Sequence, residues 1–149
     1  MMRLAIGSDH AGFALKNKLI VWLRSPAGGR HQVADLGPAT GGRCDYPDFA
    51  AKVGHAVARK RAAKGILLCG TGIGMAIAAN KIRGVRAGVI WNKKTAELAS
   101  EHNDVNVVCL PARMIRLKTA RVLLKTFLAT RFGGGRHAAR VRKIIQLER

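Results

Sequence analysis

The chain has 149 residues, of which 48% are hydrophobic, and its 27 lysines and arginines outnumber eight acids to give a formal net charge of +19. This length suits one domain with a full core, and the hydrophobic content excludes a mostly disordered chain. The N-terminus has no sustained apolar segment, and the longest uncharged run, 65–80, is short and contains four glycines, so we expect no signal peptide, no membrane span and a soluble protein.

The basic excess is uneven, because Glu148 is the only acid in 105–149, beside eleven lysines and arginines. Such a field attracts anions, either small phosphates or nucleic acid, although a solvated surface is the plainer interpretation of most of these charges. The three cysteines show no C-x-x-C spacing, which argues against a disulfide framework or a zinc site. Free thiols predict a reducing compartment, hence the cytoplasm.

The first half of the chain alternates short apolar runs with amphipathic ones. It predicts, in order, a strand at Arg3–Gly7, a helix at Ala11–Leu23, a strand at Gln32–Leu36, a loop at Gly37–Tyr46 and a helix from Pro47 to about Arg61. In the first helix, the pattern assigns Leu19 and Ile20 to the apolar face and Lys16 to the polar face. Proline suits a first helical turn because that position needs no amide donor.

The second half continues the alternation. It predicts a strand at Gly65–Cys69, a glycine-rich turn at Gly70–Gly74, a helix to about Lys81, a strand at Arg86–Trp91, a helix at Lys94–His102, a strand at Val105–Leu110, a helix at Met114–Thr130 and a terminal helix at His137–Leu147. Five alternations of this kind predict a single α/β domain over 1–149, a three-layer α/β/α Rossmann-like sandwich with a five-stranded parallel sheet. Ligands bind such sheets beyond the carboxyl ends of the strands.

The turn Gly70–Gly74 lies between a predicted strand and a predicted helix, where backbone N–H groups can face an anion. It lacks the third glycine of the dinucleotide motif and the G-K-[ST] of a P-loop, so a tight turn that merely needs small residues is the alternative. Cys69 immediately precedes the turn, where a thiol can become a usable base or nucleophile. A core cysteine is the commoner case, and it is our interpretation of Cys109.

Titratable residues follow other predicted elements. Asp9 and His10 come directly after the first strand and can handle hydroxyl protons or phosphate oxygens, unless Asp9 only caps the next helix. His102 lies between a helix and the fifth strand and is a candidate proton-transfer group near neutral pH. Guanidinium groups match the geometry of phosphate, and four cationic or potentially cationic residues lie near sheet-end loops and the terminal helix: Arg113, Arg136, His137 and Arg140.

Six motifs in one order resemble the type B ribose-5-phosphate isomerases over nearly the whole chain: Gly7–Phe13, Asp45–Asp48, Gly65–Gly74, Ala78–Lys81, His102–Asp104 and Gly134–His137. The resemblance implies an aldose–ketose isomerase that interconverts ribose 5-phosphate and ribulose 5-phosphate through a cis-enediolate, without a metal or organic cofactor. It also implies a homodimer or tetramer, with the terminal helix at the site or the dimer interface. Because the same family includes enzymes for allose or galactose 6-phosphate, a hexose 6-phosphate isomerase stays an alternative.

The resemblance further implies a role for individual residues. Cys69 is the base, Thr71 helps to move protons between the sugar oxygens, and His102 opens the sugar ring. The anion hole for the enediolate is the turn, with Gly70, Gly72, Ile73 and Gly74. The phosphate-binding set is His10, Arg113, Arg136, His137 and Arg140. The remaining substrate-binding residues are Asp9, Asp45, Tyr46 and Asn103.

Two features depart from the family's pattern, namely the stretch Trp91–Lys94 and the large positive charge. The charge favours an alternative of a different class, a basic α/β module that binds nucleic acid. An aromatic content of only 5% and the lack of a helix-turn-helix or single-strand stacking pattern argue against that alternative. We therefore expect a phosphorylated sugar as the ligand, and neither nucleic acid nor a membrane as a partner.

Overall fold

The apolar runs pair into one all-parallel sheet within residues 1–148, the part of the chain that the computed structural model describes. Its strands are β1 (Arg3–Ser8), β2 (Gln32–Asp35), β3 (Lys64–Cys69), β4 (Ala87–Val89) and β5 (Val107–Pro111). Their spatial order is β2-β1-β3-β5-β4, so β3 is central and β4 is an edge strand. Two registers, Ser8 beside Leu68 and Cys69 beside Pro111, align the carboxyl ends of the three central strands.

Helices cover both faces of this sheet. They are α1 (Phe13–Arg24), α2 (Tyr46–Ala58), α3 (Ile73–Ala79), α4 (Lys93–Glu101), α5 (Leu117–Ala129) and α6 (Arg136–Gln146), with a 3₁₀ turn at Pro26–Gly28 after α1. Side chains alternate across each strand, so Leu4 and Ile6 pack against α1, α4 and α5, whereas Ala5 and Leu67 pack against α2 and α3. The predicted three-layer α/β/α sandwich with a parallel sheet is confirmed.

The segment after β5 differs from its prediction, because α5 begins at Leu117 and not at Met114. The amides of Ala112 and Arg113 donate to the carbonyls of Cys69 and Gly70, at 2.8 and 3.1 Å. These bonds keep residues 112–114 in a turn rather than a helix. The same bonds hold Arg113 against the glycine-rich turn that follows β3.

Lys16 is a buried cation, and its assignment to the polar face of α1 is wrong. Its side chain has no exposed surface, and Nζ donates to both carboxylate oxygens of Asp35 at 2.7 Å and to the Pro38 carbonyl at 3.3 Å. Asp35 also accepts the Gly37 amide at 3.0 Å, and the Gly37 carbonyl accepts the Ser8 amide at 3.0 Å. The ion pair thus ties α1 to the loop after β2 and holds that loop beside the carboxyl end of β1.

We predict that Asp35→Asn lowers the free energy of unfolding more than Lys16→Met does. The first change leaves the Lys16 charge unpaired in a fully buried position, a defect that costs about 3–5 kcal/mol. The second leaves the Asp35 carboxylate, whose side chain is 38% exposed, to be hydrated, so we expect a loss of about 1–3 kcal/mol. Urea unfolding of both variants measures the difference, and equal losses would contradict the assignment of Lys16 as the buried partner.

Candidate active site

The predicted site residues form two clusters at opposite edges of the sheet. The carboxyl-edge cluster follows β1, β2, β3 and β5 and consists of Asp9, His10, Asp45, Tyr46, Cys69, the turn Gly70–Gly74 and Arg113. The amino-edge cluster lies where α4 ends and α6 begins and consists of His102, Asn103, Arg136, His137 and Arg140. Because β3 and β5 have six and five residues, the two edges are roughly 15–20 Å apart.

Cys69 ends β3 as a nearly buried thiol with 4% of its surface exposed. The Gly72 amide donates to its Sγ, with 3.2 Å between nitrogen and sulfur. This donor suits a thiolate, because hydrogen bonds to an ionised acceptor are stronger than those to a neutral one. Cys109 on β5 is fully buried in the same core layer, where burial, with a smaller contribution from Cys69, raises the pKa of its thiol. Cys109 is therefore a core residue, as predicted.

The turn after β3 needs glycine for space as well as for conformation. Gly72 has φ +77°, in the left-handed region that favours glycine. A Cβ atom at Gly70 would lie 3.1 Å from the guanidinium of Arg113, and one at Gly74 would lie 2.7 Å from the ring of Tyr46. The close approach of these two side chains packs a cation and a phenol directly against the turn.

The backbone of this turn keeps donors available for a ligand. Among residues 1–148, the amides of Thr71 and Gly74 donate to no protein acceptor. The Ile73 amide is engaged locally, since it donates to the Thr71 hydroxyl at 3.3 Å. Thr71 and Ile73 are both exposed. Unengaged amides in such a turn can bind an anion.

Asp9 and His10 occupy different environments. The carboxylate of Asp9 is nearly buried, and its Oδ1 accepts the amides of Ala11 and Gly12 at 2.9 and 3.2 Å. The alternative that Asp9 caps the next helix is wrong, because the N-cap of α1 is Gly12 and no side chain caps that helix; Asp9 instead holds the turn that precedes α1. His10 Nδ1 accepts the Cys44 amide at 3.4 Å, so in the neutral ring Nε2 carries the proton and can donate to an oxygen ligand.

The amino-edge cluster is built around two stacked imidazoles. The rings of His102 and His137 have their centroids 4.0 Å apart and lie within 15° of parallel. The Gly133 amide donates to the Glu101 carbonyl at 2.8 Å, which fastens the segment before α6 to the end of α4. Asn103 follows on the exposed loop that leads to β5.

The surroundings of His137 disfavour its charged form. Desolvation is the largest cause that lowers the pKa of this imidazole, followed by the charges of His102, Arg136 and Arg140, while Glu101 acts in the opposite direction. Such a concentration of cationic groups with one nearby carboxylate is an anion-binding environment. Two of the three arginines predicted to bind phosphate, Arg136 and Arg140, thus lie beside the two histidines.

A single chain does not bring Cys69 and His102 together. β4 delivers the chain to the carboxyl edge, and α4 returns it to the amino edge, where His102 ends the helix. The carbonyl of Asn106, just beyond His102, accepts the amide of Gly65 at the start of β3 at 2.8 Å. His102 therefore lies at the opposite end of the strand that carries Cys69.

Two contributors were missed by the sequence interpretation. Lys16 positions the loop after β2, and its spacing offered a signal, because Phe13, Lys16, Ile20 and Leu23 form the i, i+3, i+7, i+10 stripe of one helix face. The Cys44 amide that bonds to His10 is a backbone group, and no side-chain pattern marks it.

A groove of about 770 Å³ runs beside the edge strand β4. Its lining is largely apolar and includes Val89, Trp91, Leu98, Ile144 and Leu147. The indole of Trp91, in the stretch that departs from the family's pattern, is 56% exposed. Asn103 of the amino-edge cluster also lines this groove, so the groove reaches the second cluster.

Residues 1–148 contain neither a metal-binding cluster nor a membrane-spanning helix. In that part of the chain, no three histidine, cysteine or acidic side chains are grouped closely enough to hold a metal ion. Over the same residues, no helix combines the length and the apolar character needed to cross a membrane.

Comparison with known proteins gives one consistent result. The profile of the Ribose/Galactose Isomerase family matches residues 4–144. Ribose-5-phosphate isomerase B of Escherichia coli is 39% identical over 148 residues, which cover 99% of this chain and 97% of that protein. The ribose-5-phosphate isomerase B structure of Clostridium thermocellum superposes with a TM-score of 0.95 at 42% identity, covering 99% of this chain and 97% of the other.

A further solved structure carries a ligand. The ribose-5-phosphate isomerase B of Mycoplasma genitalium, with bound ribulose 5-phosphate, superposes with a TM-score of 0.93 at 40% identity. The match covers 98% of this chain and 95% of that one.

We predict that His102→Phe raises the pKa of His137 towards its ordinary value. The phenyl ring can keep the stack while it removes the positive charge that His102 contributes. Glu101→Gln should lower the pKa of His137 further, because the carboxylate stabilises the charged imidazole. NMR titration of the histidine ring protons measures both changes. His31, whose pKa is lowered by its own burial and by the amino terminus, is the internal control and should not move.

Proposed function

Because the chain belongs to the ribose/galactose isomerase family, we propose that it interconverts ribose 5-phosphate and ribulose 5-phosphate, with Cys69 as the base. The chain is an aldose–ketose isomerase, that is, an intramolecular oxidoreductase.

The bound ribulose 5-phosphate of the Mycoplasma genitalium relative supports a pentose phosphate as the substrate. A hexose 6-phosphate is the alternative, and the ratio of turnover of ribose 5-phosphate to that of allose 6-phosphate decides between them.

The observation that carries this proposal is the position of Cys69 beside the glycine-rich turn. Its sulfur accepts the Gly72 amide, and the unengaged amides of Thr71 and Gly74 lie a few residues further along the same turn. A proton acceptor and oxyanion donors are therefore adjacent, which is what proton transfer next to a carbonyl requires.

The reaction then proceeds by two proton transfers. In the open-chain sugar, the Cys69 thiolate takes the proton from C2, and the electron pair of that C–H bond forms the C1–C2 double bond of the cis-enediolate. The aldehyde oxygen becomes an oxyanion that the turn amides stabilise, as preorganised donors do in other carbonyl reactions. Cys69 returns its proton to C1 while the C2 hydroxyl loses one, with the Thr71 hydroxyl moving protons between the two oxygens, and the ketone is formed.

The site that performs this chemistry is shared between two subunits. His102 opens the sugar ring in our proposal, yet it lies at the opposite edge of the sheet from the Cys69 of its own chain. A twofold homodimer solves the problem, because it faces the carboxyl edge of one chain with the amino edge of the other and does so twice. The apolar groove beside β4 and the exposed Trp91 supply a surface for such an interface.

Phosphate binding follows from the same arrangement. His10 and Arg113 belong to the edge that carries the base, whereas Arg136, His137 and Arg140 come from the partner with its α6. A phosphate dianion placed among these groups would raise the pKa of His137, which the protein's own cations lower. The domain thus includes the terminal helix as part of the site.

We also infer that the protein works in the cytoplasm. Cys44, Cys69 and Cys109 are free thiols. A catalytic thiol has to stay reduced, and a reducing compartment keeps it so.

We predict that Cys69→Ala lowers kcat for ribose 5-phosphate by about 10²- to 10⁴-fold, the usual contribution of a positioned general base. A coupled assay of ribulose 5-phosphate formation measures the loss, and unchanged thermal unfolding shows that the fold survives. Cys44→Ala is the matched control, because that residue contributes only its backbone amide to His10, so activity should be kept. A Cys69→Ala enzyme with more than about a tenth of the wild-type kcat would rule out this base.

We predict that two inactive variants restore activity when they form mixed dimers. Cys69→Ala and His102→Ala homodimers should each be nearly inactive, because each has a defect in both sites. If about half of the dimers formed on co-refolding are mixed, and each mixed dimer has one intact site, about a quarter of the wild-type rate returns. Purified mixed dimers carrying two different tags should show about half the wild-type rate. Mixed dimers without activity would mean that both residues act within one chain.

A further inference from the structure

We propose that the outer face of the α1–α5 layer binds the phosphodiester backbone of double-stranded DNA without reading its sequence. This function is separate from the isomerase reaction. It revises the expectation that nucleic acid is not a partner, which rested on the absence of groove-reading and base-stacking patterns. Backbone binding to a duplex needs neither of these patterns, only accessible cations in a suitable arrangement.

The charges on this face are all of one sign. Residues 10–34 and 105–147 contain no aspartate or glutamate. Exposed lysines and arginines project from both helices, and we define the basic face by five of them: Lys18, Arg24, Lys118, Arg121 and Lys125. By contrast, α2 contains Asp48, and α4 contains Glu97 and Glu101. α1 and α5 thus carry no carboxylate of their own, and of the two on the adjacent α4, Glu97 is already paired with Lys94.

The cations of α5 form a regular stripe. Lys118, Arg121 and Lys125 are spaced i, i+3 and i+7, which places them on one side of the helix over about 10 Å. Arg121 lies above α1, with its guanidinium 5.9 Å from the centroid of the Trp22 ring. This contact joins the stripe on α5 to the cations of α1. A duplex carries one phosphate charge for every ~1.7 Å of its axis, so a straight row of cations can meet several phosphates at once.

Apart from the Arg24 guanidinium, which donates to the Val33 carbonyl at 2.8 Å, these side chains remain available for an external anion. The ion pairs found among residues 1–148 are Lys16 with Asp35, Arg86 with Asp104 and Lys94 with Glu97. None of them involves the basic face. The basic face also lies apart from the groove beside β4, since none of its five cations lines that groove. Binding there leaves the proposed dimer surface and the candidate active site accessible.

Duplex DNA fits this face better than a single strand or a membrane does. Single-strand binding uses exposed aromatic rings as stacking platforms, whereas Trp22 and Phe127 of the two helices are buried. Interfacial membrane binding needs large apolar side chains beside the cations, and the exposed apolar residues of this face are Val21 and Val122. A cationic surface with little exposed apolar or aromatic character is suited to phosphates alone.

The test is fluorescence anisotropy with two 20-base-pair DNA duplexes of unrelated sequence, titrated with the intact protein over a series of salt concentrations. We expect equal affinities for the two, with a Kd of roughly 1–100 µM near physiological salt. The triple variant Lys118→Gln, Arg121→Gln, Lys125→Gln removes the stripe with a residue that favours helix. It should weaken binding at least ten-fold and reduce the slope of log K against log salt by about 2.7, or about 0.9 for each phosphate that the variant no longer neutralises.

A matched control distinguishes the effect of where the charges lie from the effect of the protein's net charge. Arg59→Gln, Lys60→Gln, Arg61→Gln removes the same three charges from exposed residues after α2 and should leave the slope within about one unit of the wild type. Both triple variants should keep the thermal unfolding midpoint and the isomerase rate. Equal weakening by the two variants would overturn the proposal, because net charge alone would then explain the binding. It is equally overturned if millimolar ribose 5-phosphate displaces the duplex, or if anionic lipid vesicles bind while the duplex does not.

Discussion

The parallel direction of every strand is the constraint on which the rest of this structure depends. Parallel pairing requires each connection to return across a face of the sheet, so strands end at one edge and the helices that follow them end at the other. Cys69 and His10, directly after strands, lie at the first edge. His102, at the end of α4, lies at the second. A chain folded in this way separates the proposed base from the proposed ring-opening group, and a twofold assembly is the simplest way to rejoin them.

At the first edge, backbone contacts do most of the positioning. Gly72 donates its amide to Cys69, Cys44 donates its amide to His10, and Arg113 donates its amide to Gly70. Backbone groups of this kind are held by the fold itself, so their geometry does not depend on flexible side chains. The Lys16–Asp35 pair adds an anchor beneath them, since it fixes the loop after β2 that leads to Cys44. A buried charge is costly unless it is paired, so the position of this loop is coupled to the stability of the fold.

Electrostatics connects the two proposed functions. Few acids are present, and several are engaged: Asp9 with backbone amides, and Asp35, Asp104 and Glu97 in ion pairs. Most of the lysines and arginines are therefore available to attract external anions. Where they gather around the stacked histidines at the second edge, they make a site for a small phosphate. Where they form a row on the outer side of α5, they suit the phosphodiester backbone of a DNA duplex.

The sequence by itself determined the order of the elements, the parallel sandwich and the segment that carries Cys69, because these follow from local periodicity and from turns that only glycine permits. It also identified His102, Arg136 and His137 as candidates, through motifs. It placed Lys16 on the wrong side of α1, because the charge of a residue says nothing about a partner 19 positions away. Only the tertiary structure decided that His102 stacks on His137 and lies across the sheet from Cys69, since the spatial order β2-β1-β3-β5-β4 depends on pairing between strands that are distant in sequence.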